Sequence, residues 1–73
     1  MKNKAPALRQ FLRLPVVEKT IGKKKSWIYR AILSGEFPRA IKVGPVTVVW
    51  DAEEIARWQE SRIAERDKVS ASA

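Results

Sequence analysis

Three consecutive lysines, Lys23 to Lys25, follow Gly22 and stand directly before an amphipathic segment, residues 26–33. This pattern predicts that the lysines lie at the N-terminus of a helix, where the helix dipole favours anions and disfavours positive side chains. A sequence tolerates such an arrangement when an anion is bound, because the free amides of a helix start and nearby ammonium groups together hold phosphate well. The residue types therefore predict a phosphate-binding helix start.

The segment after the lysines has two different helical faces. Its apolar face consists of Ile28, Ala31 and Ile32. Its other face consists of Ser26, Tyr29, Arg30 and Leu33. We expect the first face to be buried, so that Tyr29 and Arg30 point away from the core.

Each polar side chain on the outer face has a chemical use and a plainer alternative. Arg30 can donate two hydrogen bonds to guanine O6 and N7, or it can be an ordinary solvated arginine. Tyr29 can donate to a phosphate or stack on a sugar and base, or it can be half-packed on a neighbouring hairpin. Ser26 can bond a phosphate or a base edge, or it can act as a local helix cap.

The composition excludes several kinds of catalysis and metal binding. The 73 residues include no cysteine and no histidine, which removes disulfides, zinc fingers and Ser-His or Cys-His chemistry. Glu53 and Glu54 suit the first turn of a helix, and they suggest no catalytic arrangement. We expect no enzyme activity, metal, cofactor or small-molecule ligand. A chain this short allows one domain with a small core, which buries about 60% of the unfolded surface.

The net charge of +7 is unevenly distributed along the chain. Residues 1–50 carry eleven Lys/Arg and two Glu, a net +9, whereas residues 51–73 carry four Lys/Arg and six Asp/Glu, a net −2. A basic body predicts a polyanionic partner, with an anionic membrane surface or no polyanion as alternatives. No apolar run approaches the ~20 residues of a membrane span, and the N-terminus lacks a signal-peptide pattern. We expect a bacterial cytoplasmic protein, associated with the nucleoid.

Local signals predict the first elements and the chain ends. We predict a flexible basic tail at residues 1–8 and a disordered tail at residues 68–73, which are small and polar. The domain itself is then expected to cover residues 9–67. A short extended piece is expected at 11–13. A first helix from Pro15 to about Thr20 should end at a tight turn.

A second helix is predicted to begin near Lys24 and to stop at Gly35. No Ser, Asp or Asn stands where its N-cap should be. Residues 41–43 and 46–50 then predict a β-hairpin, with Gly44-Pro45 as a two-residue type II′ loop. In the second strand, Val46, Val48 and Trp50 should share one face.

The third helix has the clearest start signal. Asp51 is its expected N-cap, Glu54 completes a capping box, and Trp50 and Ile55 stand at the positions of a hydrophobic staple. The helix should run to about Arg66. The expected core consists of Ile21, Ile28, Ile32, Phe37, Trp50, Ile55 and Trp58. Two helices joined by a glycine turn, then a hairpin and a closing helix, predict a mainly α fold with a small β-hairpin, the winged helix-turn-helix.

The stretch from Leu12 to about Arg62 resembles the AlpA-like phage and prophage regulatory proteins. The residues that carry the resemblance are Leu12-Arg13-Leu14, Gly22, Ser26, Ile28-Tyr29-Arg30, Gly35 to Arg39, Lys42 to Pro45, Trp50, Ile55 and Trp58. That family has a MerR-like winged fold and includes small excisionases. The chain departs from the family pattern at Lys23, Lys24 and Trp27, where an apolar residue, a serine and a threonine are usual.

The resemblance implies that the outer face of the second helix enters the major groove of DNA and that the hairpin, or wing, contacts the minor groove or flanking phosphates. The residues expected to bind DNA are Lys24, Lys25, Ser26, Tyr29, Arg30, Arg39, Lys42 and Thr47. Arg39 and Lys42 can instead be solvated, and Thr47 is a weaker candidate on the outer face of the wing. Trp27 is expected to pack on the first helix, with a place against the DNA backbone as the alternative.

The function expected from these observations is sequence-specific binding of double-stranded DNA by a protein of mobile-element origin. It would regulate transcription, or act as an excisionase that bends attachment-site DNA. Its partners would be an integrase or other DNA-bound copies of itself. The alternative is a protein-interaction adaptor or inhibitor that uses a helix-turn-helix only as a scaffold.

Overall fold

The computed structural model describes residues 7–72, with side chains through Lys68. Its elements are β1 (Phe11–Leu12), α1 (Leu14–Ile21), α2 (Lys25–Leu33), β2 (Ile41–Lys42), β3 (Val48–Asp51) and α3 (Ala52–Ser72). The fold is a winged helix-turn-helix with three helices and a small antiparallel sheet, as the sequence predicts. Of the predicted N-terminal tail, residues 1–6 lie outside the described part of the chain.

The turn between α1 and α2 depends on Gly22. This residue lies in the left-handed region with φ 75°, and its N–H donates to the Glu18 carbonyl at 2.8 Å. Glycine reaches this conformation without the steric penalty of a Cβ atom. Only residues 22–24 separate the two helices, a turn of the length that is typical of a helix-turn-helix.

The C-terminus of α2 is closed by a Schellman motif around Gly35, which has φ 80°. The N–H of Gly35 donates to the Ile32 carbonyl at 3.1 Å, and that of Glu36 donates to the Ala31 carbonyl at 2.8 Å. This is the paired 5→2 and 6→1 pattern that ends many helices. The predicted stop at Gly35 is confirmed.

The sheet has the strand order β1-β3-β2, with both pairs antiparallel. Phe11 and Leu12 pair with Asp51 and Trp50, so the predicted extended piece becomes an edge strand beside β3. On the other side of β3, Ile41 pairs with Val49. The sheet therefore ties the start of the domain to the base of the wing.

The predicted two-residue type II′ loop at Gly44-Pro45 is wrong. Val43 donates its N–H to the Thr47 carbonyl at 3.0 Å, and Lys42 pairs with Val48, which is one residue out of the predicted register. Gly44 is also not among the positive-φ glycines that a type II′ turn would need. Because both Val49 and Trp50 of β3 are buried, the apolar alternation could not select one register over the other.

The observed register places two side chains differently from the sequence prediction. Val46 lies in the loop with 94% of its surface exposed, so it does not share the face of Val48 and Trp50. Thr47 is half-buried and lies in the loop before β3, not on the outer face of the strand.

The core lies between α1, α2 and the sheet and is closed by α3. Its fully buried cluster consists of Val17, Ile28, Ala31, Phe37, Trp50 and Ile55. The other expected core residues, Ile21, Ile32 and Trp58, are partly buried and pack against this cluster. Large aromatic and branched side chains thus hold the three helices around a very small interior.

The start of α3 is held by a buried carboxylate. Asp51 is 3% exposed, its Oδ1 accepts the Glu53 N–H at 3.0 Å, and its Oδ2 accepts from Nε of Arg9. Burial acts to raise the pKa of Asp51, but the amide of Glu53 and the guanidinium of Arg9 together outweigh burial and lower that pKa. Asp51 is thus the N-cap, as predicted, but it caps through Glu53 rather than Glu54.

Because this carboxylate is stabilised in its ionised form, the folded-state pKa lies below the unfolded-state value. Its contribution to stability is fully present above about pH 4 and is lost as the pH falls through the folded-state pKa. We expect the free energy of unfolding, measured by urea titration, to fall as the pH drops below about 4, the ordinary range of an aspartate. Asp51→Asn keeps a capping side chain without the charge and should show a shallower fall. An unchanged pH dependence in that variant would show that other carboxylates cause it.

The last helix is longer than predicted. α3 extends to Ser72, beyond the expected end near Arg66, and so covers most of the segment 68–73 that was expected to be a disordered tail. Once a helix is nucleated by a good cap, each further residue adds one hydrogen bond, and no Gly or Pro interrupts this stretch. Ala73 lies outside the described residues.

Candidate nucleic-acid interface

The N-terminus of α2 is formed by the lysine run. Lys24 is the N-cap residue, with φ −95° and ψ 169°, and it makes no side-chain capping hydrogen bond; Lys25 is the first helical residue. The predicted lack of a side-chain cap is confirmed. The first amides of α2 therefore keep their donors free for an anion, next to two exposed ammonium groups.

The two faces of α2 are those predicted from the sequence. Ile28 and Ala31 are buried, and the exposed face consists of Ser26, Tyr29, Arg30 and Leu33. No described hydrogen bond uses the Ser26 hydroxyl, so it does not act as a local cap. This face can present a hydroxyl, a phenol and a guanidinium to a partner.

Tyr29 joins this face to the wing. Its ring lies edge-on to that of Trp50, with centroids 6.1 Å apart, and Nε1 of Trp50 donates to the Pro38 carbonyl at 3.0 Å. The tyrosine is half-packed on the hairpin, yet 38% of its surface stays exposed. This contact fixes the orientation of α2 relative to the base of the wing.

Lys42 lies on the side of the sheet that faces α2. It pairs with Val48, and Val48 is two residues from Trp50, so all three side chains share one face of the sheet. Trp50 contacts Tyr29 on that face, and Lys42 is exposed. The structure therefore brings Lys42 to the same side as the outer residues of α2.

Arg39 is not brought to this side. It lines a shallow groove with Ile41, Glu54 and Arg57, between the start of β2 and α3. Ile41 precedes Lys42 in β2, so its side chain lies on the opposite face of the sheet. Arg57 is an additional basic residue in this groove that the sequence analysis did not single out.

Lys23 has a role that the sequence analysis missed. Its Nζ lies 5.0 Å from the centroid of the Trp27 ring, a cation–π contact of roughly 0.5–1 kcal/mol when exposed. The spacing of four residues at the start of a helix was the available signal. The contact holds the ammonium group of Lys23 beside the N-terminus of α2.

Trp27 itself is partly buried. Its ring contacts those of Phe37 and Trp58 edge-on, with centroids 6.1 and 6.2 Å apart. Trp27 thus packs against the core of the domain, but its ring partners are Phe37 and Trp58 of α3 rather than residues of the first helix, where it was expected to pack. Nε1 of Trp58 donates to the Glu36 carbonyl at 2.8 Å, which ties α3 to the segment after α2.

The basic residues of α2 and the wing have no acidic partners within the described residues. The ion pairs there are those of Arg9 with Asp51 and Glu53, and of Arg66 with Asp67. The residues that remain without a salt bridge include Lys24, Lys25, Arg30 and Lys42. Their charges are available to an external anion, and they create a positive potential along one side of the domain.

The described part of the chain contains neither a candidate metal cluster nor a helix suited to crossing a membrane. No group of three or more Asp, Glu, His or Cys residues is arranged to hold a metal ion there. None of the helices there is both long and apolar enough to cross a membrane.

Comparison with known proteins identifies the family. The family model described as prophage CP4-57 regulatory protein (AlpA) matches residues 10–63. The chain belongs to the AlpA family. The matched range includes the helix-turn-helix, the whole wing and the first half of α3. AlpA membership supports DNA binding and regulation of transcription in a prophage. Neither a curated protein nor a solved structure gives a significant match.

Proposed function

We propose that this AlpA-family chain binds double-stranded DNA in a sequence-specific manner, with α2 in the major groove and the wing against the adjacent backbone. One observation carries the proposal. The outer face of α2 is exposed and basic, and no carboxylate occurs between Lys23 and Gly35. Such a face is costly for a small domain unless a polyanion neutralises it.

The contacts divide into two classes by chemistry. Lys24, Lys25 and Lys42 are compact charges on the rim of the face, and they suit phosphates, which position a protein without reading sequence. Arg30, Tyr29 and Ser26 lie on the face itself and would contact base edges. Arg39 and Thr47 would contribute at the margin of the interface, since Arg39 lines the groove beside α3 and Thr47 lies half-buried in the loop of the wing.

A pair of alanine variants tests this division. Arg30→Ala should weaken binding to the specific site by roughly 1–3 kcal/mol, with little change on random DNA, whereas Lys25→Ala should weaken both about equally. Both side chains are exposed, so neither variant should lose its fold. Affinities would be measured by fluorescence anisotropy at one fixed salt concentration. An equal loss on both DNAs for Arg30→Ala would make that residue a phosphate contact and would contradict the proposed docking.

We further propose that the protein acts as a transcriptional regulator, as an excisionase that bends attachment-site DNA, or as both. A domain of this size covers little DNA, so we expect adjacent copies to bind together. Glu60 and Glu65 on α3 make no described ion pair and could meet the basic side of a neighbouring copy. Footprinting of DNA beside its own gene, together with an excision assay, separates the roles. Independent binding at adjacent sites, unchanged by charge reversal at both glutamates, would exclude this assembly.

One observation favours a protein partner. Every residue from Ser61 to Lys68 is exposed, so this half of α3 makes little contact with the domain body. An integrase could dock there, and the adaptor alternative would use the same surface. Salt separates the two functions: a DNA-binding protein loses duplex affinity steeply as salt rises, whereas an adaptor would bind duplex weakly and with little salt dependence.

A further inference from the structure

Leu33 is an apolar side chain on the outer face of α2. It is 88% exposed, and it lies seven residues after Ser26, about two helical turns, so the two side chains lie on one line along the helix. Tyr29 and Arg30 flank that line. Leu33 is thus on the centre line of the face that the proposed function places in the major groove, at the C-terminal end of α2.

Exposure alone would not make this leucine functional, because single exposed apolar residues are common on protein surfaces. Its position decides what it can contact. Arg30 and Lys25 on the same side of the helix have no acidic partner among the described residues, which matches the charge of DNA. A leucine side chain cannot hydrogen-bond to a base edge, and the apolar group that an unmodified major groove offers is the 5-methyl group of thymine.

We propose that Leu33 contacts the 5-methyl group of a thymine in the major groove and thereby selects a T·A pair within the site of this protein. The inference rests on the proposed docking of α2. It adds an apolar contact to the polar ones of Arg30, Tyr29 and Ser26. Leu33 would then be a specificity residue that polar motif searches overlook.

Replacing thymine by deoxyuridine removes only the methyl group and tests this contact directly. In a duplex that carries the specific site, each thymine is replaced in turn. Wild-type protein should bind about fourfold more weakly at one position, the factor expected for the loss of one buried methyl group. Leu33→Ala should bind the unmodified site more weakly by at least that factor, and it should lose no further affinity when the same thymine is replaced.

Leu8→Ala is the matched control, because Leu8 is at least as exposed as Leu33 but precedes β1. It should keep both wild-type affinity and sensitivity to uracil. The proposal is overturned if wild-type protein is insensitive to uracil at every position, or if Leu33→Ala stays as sensitive as wild type. In both cases, retained specific binding leaves the proposed function intact.

Two other results would also overturn the proposal. If Leu33→Ala reduced cooperativity between adjacent sites but not binding to a single site, the leucine would be a contact between protein copies. If wild-type protein bound no duplex specifically, the proposed function would fail, and this inference would fail with it.

Discussion

Trp50→Ala is expected to destabilise the protein by about 3–5 kcal/mol. Trp50 has no exposed surface, it lies in the central strand β3, and its ring contacts Tyr29 of α2. Truncation opens a large cavity and leaves the Pro38 carbonyl without its N–H donor. A domain with so small a core should lie near the lower end of the roughly 5–15 kcal/mol that is typical of folded proteins, so a loss of this size should leave a substantial fraction of the variant unfolded at 25 °C. Circular dichroism during urea titration measures this loss.

Two further variants separate the contribution of the Trp50 N–H group from that of burial. Trp50→Phe keeps an aromatic ring but removes the N–H donor and part of the ring volume, so it should lose roughly 1–3 kcal/mol, less than Trp50→Ala. Trp58→Ala should lose less than Trp50→Ala, because Trp58 is only partly buried. A Trp50→Ala variant that unfolds at a near-native urea concentration would contradict the packing of β3 at the centre of the domain.

The three helices and most of their ends were predictable because their signals are local, whereas the C-terminal end of α3, which has no Gly or Pro stop signal, was not. Gly35 stops α2 through its own backbone conformation, and Asp51 starts α3 through its own side chain. The alternation of buried and exposed residues along α2 follows directly from helical spacing. These signals need no knowledge of distant residues, and for that reason the three helices and their order were found.

The sheet was less predictable because its determinants are distant or ambiguous. Phe11 and Leu12 form a strand of two residues, which is too short for a periodic signal, and their partners lie about forty residues away. The predicted register of the wing was wrong because β3 has buried side chains on both faces, so the apolar pattern did not select one register. The ion pairs of Arg9 with Asp51 and Glu53 likewise depend on this long-range pairing.

The candidate site was predicted from α2 more completely than from the wing. Ser26, Tyr29 and Arg30 lie on the expected exposed face, since helical periodicity alone determines it. The side on which Lys42 lies depends on the strand register, and the positions of Arg39 and Thr47 depend on the loop and on α3. Whether these residues contact DNA stays a prediction, and binding experiments decide it.

Binding to duplex DNA is expected to weaken steeply with salt. Lys24, Lys25 and Lys42, the proposed phosphate contacts, have no acidic partners in the described residues, so each can release a counterion when it neutralises a phosphate. With roughly four to six phosphates contacted per protein, the slope of log affinity against log salt should be about −4 to −5. Between 50 and 200 mM salt, the affinity should therefore fall by about 250- to 1,000-fold.

This salt titration of duplex binding is the measurement that tests the central claim most directly, that the basic face of α2 and the wing binds DNA. Wild-type protein should show the steep slope. Lys25→Ala should make it shallower by about 1, and Arg66→Ala should not change it, because Arg66 is paired with Asp67 on α3. A flat salt response, or a slope changed by Arg66→Ala but not by Lys25→Ala, would contradict the account.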